Sequence, residues 1–239
     1  MTRKGLIVLF LLLPAWMLHA QRPDGSVMVM AGENATQVIP LSQRYLFPEF
    51  RSGQLYFPQG ERSEVILMNY NMVLDAMQFI DTKGDTMFIA EDSNIFRYIQ
   101  IEETLFFHKF GEGYFIVLTR EDPIKLLAKK KWNVLRRELL VNNGYGTSAS
   151  MNSSSAYTAR RSDDNTFVQH ENTLFGKGES FFLLGPKERL YAANRSGLVK
   201  SYPDLRKQVK KYVQKNDIDY RSETDLRQTL THLNGLVED

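Results

Sequence analysis

Residues 95–119 read IFRYIQIEETLFFHKFGEGYFIVLT, and this stretch determines the expected fold. Three runs rich in apolar and aromatic residues follow one another, and the turn signal Phe110-Gly111-Glu112-Gly113 separates the last two. A spacing of about ten residues per strand, with turns between the strands, is typical of an antiparallel meander. The continuous apolar run 115–118 indicates a strand that is buried on both faces.

The same alternation extends to both sides of this stretch. The turn at residues 81–85 lies between two apolar runs of matched length, which predicts a hairpin pairing Met77–Ile80 with Met87–Ala90. Further strands are predicted at residues 173–175 and 180–184, with Gly176-Lys177-Gly178 as the turn between them. Residues 124–140 show neither a clean helical period nor a clean strand period, so both assignments stay open.

The period changes in the last forty-odd residues. A helix is expected after Pro203, with Leu205, Val209 and Val213 on one face. A capping box at residues 222–225 predicts a second helix, whose apolar stripe contains Leu226, Leu230 and Leu233. The fold class predicted is therefore α+β and mainly β. It is an antiparallel meander forming a sandwich or partly open barrel, with two short amphipathic helices at the C-terminus.

The chain divides into four segments by composition. Residues 1–20 resemble a secretory signal peptide, because Arg3 and Lys4 precede the apolar run Leu6–Leu13 and a small residue, Ala20, marks the expected cleavage site. Residues 21–43 are predicted to be an extended lead-in and residues 44–193 the β domain. Within this domain a loop rich in Gly, Ser and Thr, at about 142–165, is expected to be mobile. Residues 194–239 form the two-helix segment, which is expected to pack on the β domain.

Composition excludes several classes of site and partner. The chain contains no cysteine, so disulfides, thiolate nucleophiles and cysteine-based metal sites are excluded. After removal of residues 1–20 the chain carries 28 basic and 28 acidic residues. A chain with balanced charge has no overall field that attracts nucleic acid. We therefore expect no nucleic-acid partner, and no transmembrane segment after signal cleavage.

Several short stretches resemble a known group of proteins. They are Tyr45-Leu46-Phe47-Pro48-Glu49-Phe50, Leu67-Met68-Asn69-Tyr70-Asn71, Met77-Gln78-Phe79-Ile80 and the helical ending around Tyr202-Pro203 and Val213–Asn216. In these stretches the chain resembles uncharacterised exported proteins of Bacteroidetes bacteria. The resemblance implies an envelope location, and it assigns neither an activity nor functional residues.

The chain shows no motif for catalysis, for a metal or for a cofactor. His108, His170 and His232 lack a second ligand at metal-site spacing, so core or surface roles are expected for them. Adjacent acidic residues include the pairs Glu102-Glu103 and Asp163-Asp164. Neighbouring residues of a strand point to opposite faces, so Glu102 and Glu103 are not expected to line one cleft. Asp81 and Asp85 are residues that a hairpin turn favours. No catalytic residue, cofactor or metal site is therefore predicted.

One basic cluster is a candidate surface patch. It comprises Lys129, Lys130, Lys131, Trp132, Arg136 and Arg137. Basic residues beside an aromatic anchor fit anionic lipid headgroups or lipopolysaccharide. The alternative is a solvated sheet edge, where lysine discourages strand-to-strand aggregation.

These observations favour a non-catalytic protein exported to the periplasm or cell surface of a bacterium. It is expected to act by binding or as part of an assembly, with an envelope protein or a glycan as partner. Two alternatives stay open. One is a secreted polysaccharide hydrolase whose acidic pair is separated in sequence, and the other is a carrier of a hydrophobic ligand.

Overall fold

The computed structural model describes residues 25–90, 95–120, 123–138, 150–151 and 168–238. The predicted signal peptide lies outside the described residues, as does the predicted loop at 142–165 except for residues 150–151. The described strands are, in chain order, β1 (Val27–Val29), β2 (Arg51–Tyr56), β3 (Ile66–Asn71), β4 (Ala76–Ile80), β5 (Thr86–Phe88), β6 (Tyr98–Ile101), β7 (Thr104–Lys109), β8 (Gly113–Val117), β9 (Lys125–Glu138), β10 (Ser150–Met151), β11 (Asn172–Gly185) and β12 (Arg189–Ala192).

These strands form one open antiparallel sheet, which confirms the mainly β fold. Its order is β1-β11-β9-β8-β7-β6-β2-β3-β4-β5, with β10 on β9 and β12 on β11. The stretch 95–119 supplies β6, β7 and β8 at its centre. The predicted hairpin is present, since Phe79 pairs with Met87 between β4 and β5. Its turn is closed by Asp81, whose Oδ1 accepts hydrogen bonds from the backbone N–H groups of Lys83 and Asp85.

The two longest strands differ from expectation. Residues 124–140, which fitted either a helix or a strand, contain the 14-residue strand β9. The predicted turn at Gly176–Gly178 is wrong, because β11 runs unbroken along β9 through these glycines. A side chain at Gly178 would overlap the amide of Asn133 on β9, and a Cβ at Gly176 would lie 2.6 Å from Leu135 Cδ1. Both glycines therefore make room for side chains of the neighbouring strand.

The sheet curves so that strands distant in its order meet. The backbone N–H of Trp132 on β9 donates to the carbonyl of Met72, in the turn after β3, at 3.0 Å. The main core lies inside this curve, and burial of its apolar surface favours the curved form of the sheet. Its buried members include Met68, Tyr70, Met77, Phe96, Ile99, Ile101, Phe106, Tyr114, Trp132 and Phe175.

Buried amides attach residues 44–50 to the outer face of β3 and β4. Tyr45 donates its hydroxyl hydrogen to Oε1 of Gln78 at 2.9 Å, and Asn71 donates to the same oxygen at 3.0 Å. The side chain of Asn69 donates to the carbonyl of Phe47 at 2.8 Å. Buried polar groups are normally hydrogen-bonded, so these contacts explain why the side-chain amides of Asn69, Asn71 and Gln78 are tolerated in two strands that are otherwise mostly apolar.

Five helices accompany the sheet in the described residues. They are α1 (Ala35–Val38), α2 (Leu41–Arg44), α3 (Arg195–Ser201), α4 (Arg206–Lys215) and α5 (Glu223–Glu238). The lead-in 21–43 thus contains β1 and two short helices as well as extended chain. Helix α3 was not predicted. Asn194 caps it by accepting from the N–H of Gly197 at 2.8 Å.

The C-terminal helices pack on the ends of β9 and β11. The stripe residues Leu226, Leu230 and Leu233 are at most 1 % exposed and join a second core with Leu126 and Leu183. The remaining buried members include Ala128, Phe181, Leu198, Val209 and Val213. One half of the predicted capping box is present, since Ser222 Oγ accepts from the N–H of Asp225 at 3.2 Å. The Asp225 carboxylate accepts from the Ser222 hydroxyl and from the N–H of Asp219, and the N–H of Ser222 donates to the carbonyl of Asp219. No described helix is both long enough and apolar enough to cross a membrane.

Candidate functional site: a buried Asp75–Lys129 ion pair beside His108

The candidate site is a polar cluster made of four buried residues, Tyr70, His108, Tyr114 and Lys129, and the partly buried Asp75. Asp75 lies in the turn between β3 and β4, and Lys129 lies on β9. The other three residues lie on β3, β7 and β8. Curvature of the sheet brings these elements together, because the turn after β3 lies against β9.

The centre of the cluster is an ion pair. Lys129 Nζ lies 2.7 Å from Asp75 Oδ2, and the two side chains are 8 % and 28 % exposed. Tyr70 donates its hydroxyl hydrogen to the other oxygen, Asp75 Oδ1, at 2.7 Å. Lys129 also donates to the carbonyl of Glu112 and lies 4.8 Å from the ring centre of Phe115. Both carboxylate oxygens and the ammonium group are therefore bound by other groups of the same chain.

The backbone around the ion pair is specialised. Asp75 has φ +52°, a left-handed conformation that few residues other than glycine, Asn and Asp adopt. Gly113, on the facing turn, has φ +84°. A Cβ at Gly113 would lie 2.9 Å from both Asp75 Oδ1 and Lys129 Nζ. Gly113 is therefore needed for its conformation and for the space that the ion pair occupies.

His108 supplies the second titratable group of the cluster. Its side chain is 5 % exposed, and its ring lies 4.8 Å from the rings of Phe96 and Tyr114. Its Nε2 is buried and has no hydrogen-bond partner in the described part of the chain. Burial lowers the pKa of His108 below its ordinary 6.5 and outweighs a hydrogen bond to the Phe96 backbone and the charge of Asp75, which act to raise it. The imidazole is therefore neutral at pH 7.

The structure separates the basic patch that the sequence suggested. Lys129 and Trp132 are buried, and the indole N–H of Trp132 donates to the carbonyl of Gln43 at 3.0 Å. Neither side chain contributes to an anion-binding surface. Successive residues of β9 point to opposite faces of the sheet, so a continuous run of basic residues does not produce one surface.

The other residues of that patch are not grouped on one free surface. Lys130 is 3.3 Å from Glu179, and Arg136 pairs with Glu138 two residues along the same strand. Lys131 is only partly exposed, and Arg137 is likewise partly exposed and has interactions of its own. The predicted cluster therefore provides one lysine of an internal ion pair, one core tryptophan and two locally compensated charges, those of Lys130 and Arg136.

The remaining sequence candidates occupy structural positions. Glu102 lies in the turn between β6 and β7 and pairs with Arg51 at 2.7 Å. His170 is exposed, and His232 stacks on Tyr212 with 4.5 Å between ring centres. Asp163 and Asp164 lie outside the described residues. Within the described ranges, no group of three His, Cys, Asp or Glu residues is placed to hold a metal ion.

Reasoning from the sequence did not connect Asp75 and His108 with Lys129. One signal was available: Lys129 follows the apolar residue Leu127 at the strand period of two, so the two side chains share a face of β9, and Leu127 is buried. A lysine on a buried face requires a counter-charge. The identity of its partner was not readable, because Asp75 lies 54 positions earlier in the chain.

Comparisons with known proteins place this chain in no group. No protein-family model matches it, and neither a curated protein nor a solved structure matches.

Proposed function

We propose that the protein is exported and acts in a bacterial envelope, by binding or as part of an assembly, without catalysing a reaction. Export is supported by the order of charge, apolar run and small residue within positions 1–20. The single structural observation that supports a non-catalytic role is the Asp75–Lys129 ion pair, in which both charged groups are held by contacts within the chain. Its charged atoms are bound to one another, to Tyr70 and to the Glu112 carbonyl.

The open sheet supports a role in binding or assembly. Within the described residues, β5 pairs only with β4, at one end of the strand order. A strand at a sheet edge presents backbone donors and acceptors that another chain can pair with. The exposed apolar residue Met87 lies in the middle of this strand. An envelope protein is therefore the partner class most compatible with this edge, and a glycan remains the second.

N-terminal sequencing and fractionation test the export half of the proposal. Protein from the native host is expected in the periplasm or at the cell surface, with a mature N-terminus at or near Gln21. Intact Met1 on protein recovered from the cytosol would contradict export. This outcome would leave the fold and its ion pair unaffected.

An assay of glycan cleavage tests the non-catalytic half. A glycoside hydrolase uses two carboxyl groups about 5 to 9.5 Å apart across the scissile bond. Asp75 instead faces an ammonium group at 2.7 Å. We expect no release of reducing ends from envelope polysaccharides. Release that persists through purification and rises in proportion to the amount of purified protein would establish the hydrolase alternative.

A further inference from the structure

Helix α4 presents a continuous basic surface to solvent. This surface, called the basic face, comprises Arg206, Lys207, Lys210, Lys211 and Lys215, all of which are exposed. The helix contains no acidic residue. The ion pairs found among the described residues involve other basic side chains.

The orientation of α4 is set by its apolar side. Val209 and Val213 are buried in the second core, so the opposite side of the helix points outward. With 3.6 residues per turn, Lys207, Lys211 and Lys215 follow one another along one line of that outer side. The other two cations lie on an adjacent line. The basic face is therefore about 15 Å long and covers about half of the helix circumference.

This arrangement costs the helix stability. Like charges at a spacing of four residues repel, as Lys207 and Lys211 do. Basic residues in the first turn, Arg206 and Lys207, also oppose the helix dipole, and that turn contains no acidic residue. Packing does not require these cations, because none of them is buried. An anionic partner would explain why the charges are kept together.

The surrounding charge strengthens the basic face. Residues 195–215 contain seven basic residues and one acidic residue, although the whole chain has a net charge of only +2. The acidic residue, Asp204, precedes the helix, and Asp217 follows it. Asp219 and Asp225 accept hydrogen bonds from backbone N–H groups of the turn before α5. The positive field is therefore local to α3 and α4.

We infer that the basic face of α4 binds anionic lipid headgroups at a membrane surface. Four of its five cations are lysines, which attract phosphate as point charges and need no fixed geometry. No aromatic residue lies on this face for stacking on nucleotide bases, since Tyr212 is half-buried against His232. The apolar side of α4 is used in the core, so binding is peripheral and electrostatic. The inference adds a partner to the proposed envelope function and does not depend on export.

Vesicle sedimentation tests the inference. The full chain is mixed with phosphatidylcholine vesicles, with or without about one third phosphatidylglycerol. Neutral vesicles measure any binding by the apolar residues 6–13, so the difference between the two vesicle types isolates the effect of charge. Each lysine near an anionic surface contributes about fivefold, so Lys207→Gln/Lys210→Gln/Lys211→Gln should weaken binding to anionic vesicles on the order of a hundredfold. The difference in binding between anionic and neutral vesicles should also disappear near 1 M salt, where the screening length falls to about 3 Å.

A matched control removes three exposed cations elsewhere. Lys83→Gln/Arg189→Gln/Arg221→Gln changes the net charge equally and should keep most of the binding. The α4 variant should retain its melting temperature, because the change relieves repulsion within the helix. Equal loss in both triple variants would overturn the inference, as would equal binding of the wild type to neutral vesicles. Preferential binding to a DNA duplex instead of anionic vesicles would assign the basic face to nucleic acid.

Discussion

Removing only the Asp75 charge of the Asp75–Lys129 pair should destabilise the fold more than removing both charges. Asp75→Asn leaves the Lys129 ammonium, which is only 8 % exposed, without its counter-charge. The loss should be about 3 kcal/mol, the lower end for a broken buried pair, because the Glu112 carbonyl and the Phe115 ring still contact the ammonium. Asparagine tolerates the left-handed conformation at position 75, so the substitution adds no backbone strain.

Substitution of Lys129 and the variant with both substitutions complete a double-mutant cycle. Lys129→Met leaves Asp75 charged but 28 % exposed and still bonded to Tyr70, so the loss should be about 2 kcal/mol. With both charges replaced, the protein should lose only about 2 kcal/mol relative to the wild type, because no unpaired charge remains and only the hydrogen bonds and packing of the two side chains are lost. The resulting coupling energy is about 3 kcal/mol, typical of residues in direct contact.

Urea unfolding followed by tryptophan fluorescence measures these values. Trp132 is the only tryptophan in residues 21–239, it is 5 % exposed, and it lies three positions from Lys129. The neighbouring pair Lys130–Glu179, with side chains 42 % and 39 % exposed, is the matched control. Its coupling energy should stay below about 1 kcal/mol because solvent screens it. Additive effects of Asp75→Asn and Lys129→Met, within about 0.5 kcal/mol, would refute the reasoning.

Two further predictions concern the helical core and the buried histidine. Leu230→Asp places an unpaired charge at a position that is 1 % exposed, so it should lower the free energy of unfolding by several kcal/mol. Val237→Asp, at a position 49 % exposed on the same helix, is the control and should change the free energy of unfolding little. Equal melting temperatures for the two variants would contradict the packing of α5. Burial lowers the pKa of His108 in the folded protein, so as the pH falls below 6.5 the unfolded state binds a proton at this histidine before the folded state does. The free energy of unfolding should therefore decrease from pH 6.5 down to the folded pKa, by at most about 1.4 kcal/mol per pH unit. His108→Phe should flatten that part of the stability profile, and an unchanged slope would contradict a buried, neutral imidazole.

The local sequence was enough to predict most of the sheet. Strand β7 coincides with the run 104–109, and the Asp81–Asp85 turn closes the expected hairpin. Strand alternation and turn chemistry act over a few residues, so they are readable without knowledge of the partner strands. The C-terminal helices follow for the same reason, because a stripe such as Leu226, Leu230 and Leu233 has a helical period.

Prediction failed where a neighbouring strand supplied the decisive contacts. Gly176 and Gly178 have the local preference of a turn, yet pairing along β9 keeps them in one 14-residue strand. A glycine inside a strand costs about 1 kcal/mol relative to alanine, and the series of backbone hydrogen bonds between β11 and β9 outweighs that cost. Helix α3 was missed because it has seven residues and includes Gly197, too short and too weak a pattern to detect.

The sequence by itself determined the antiparallel strands, the C-terminal amphipathic helices and the exclusion of cysteine chemistry. Only the tertiary structure determined which charges are buried and which are presented to solvent. Lys129 belongs to the most basic run of the chain, but curvature of the sheet places it against Asp75. Packing of Val209 and Val213 instead turns the lysines of α4 outward. The physical reason is that the energy of a charge depends on its solvation and on its neighbours in space, which are determined by packing between segments distant in the chain.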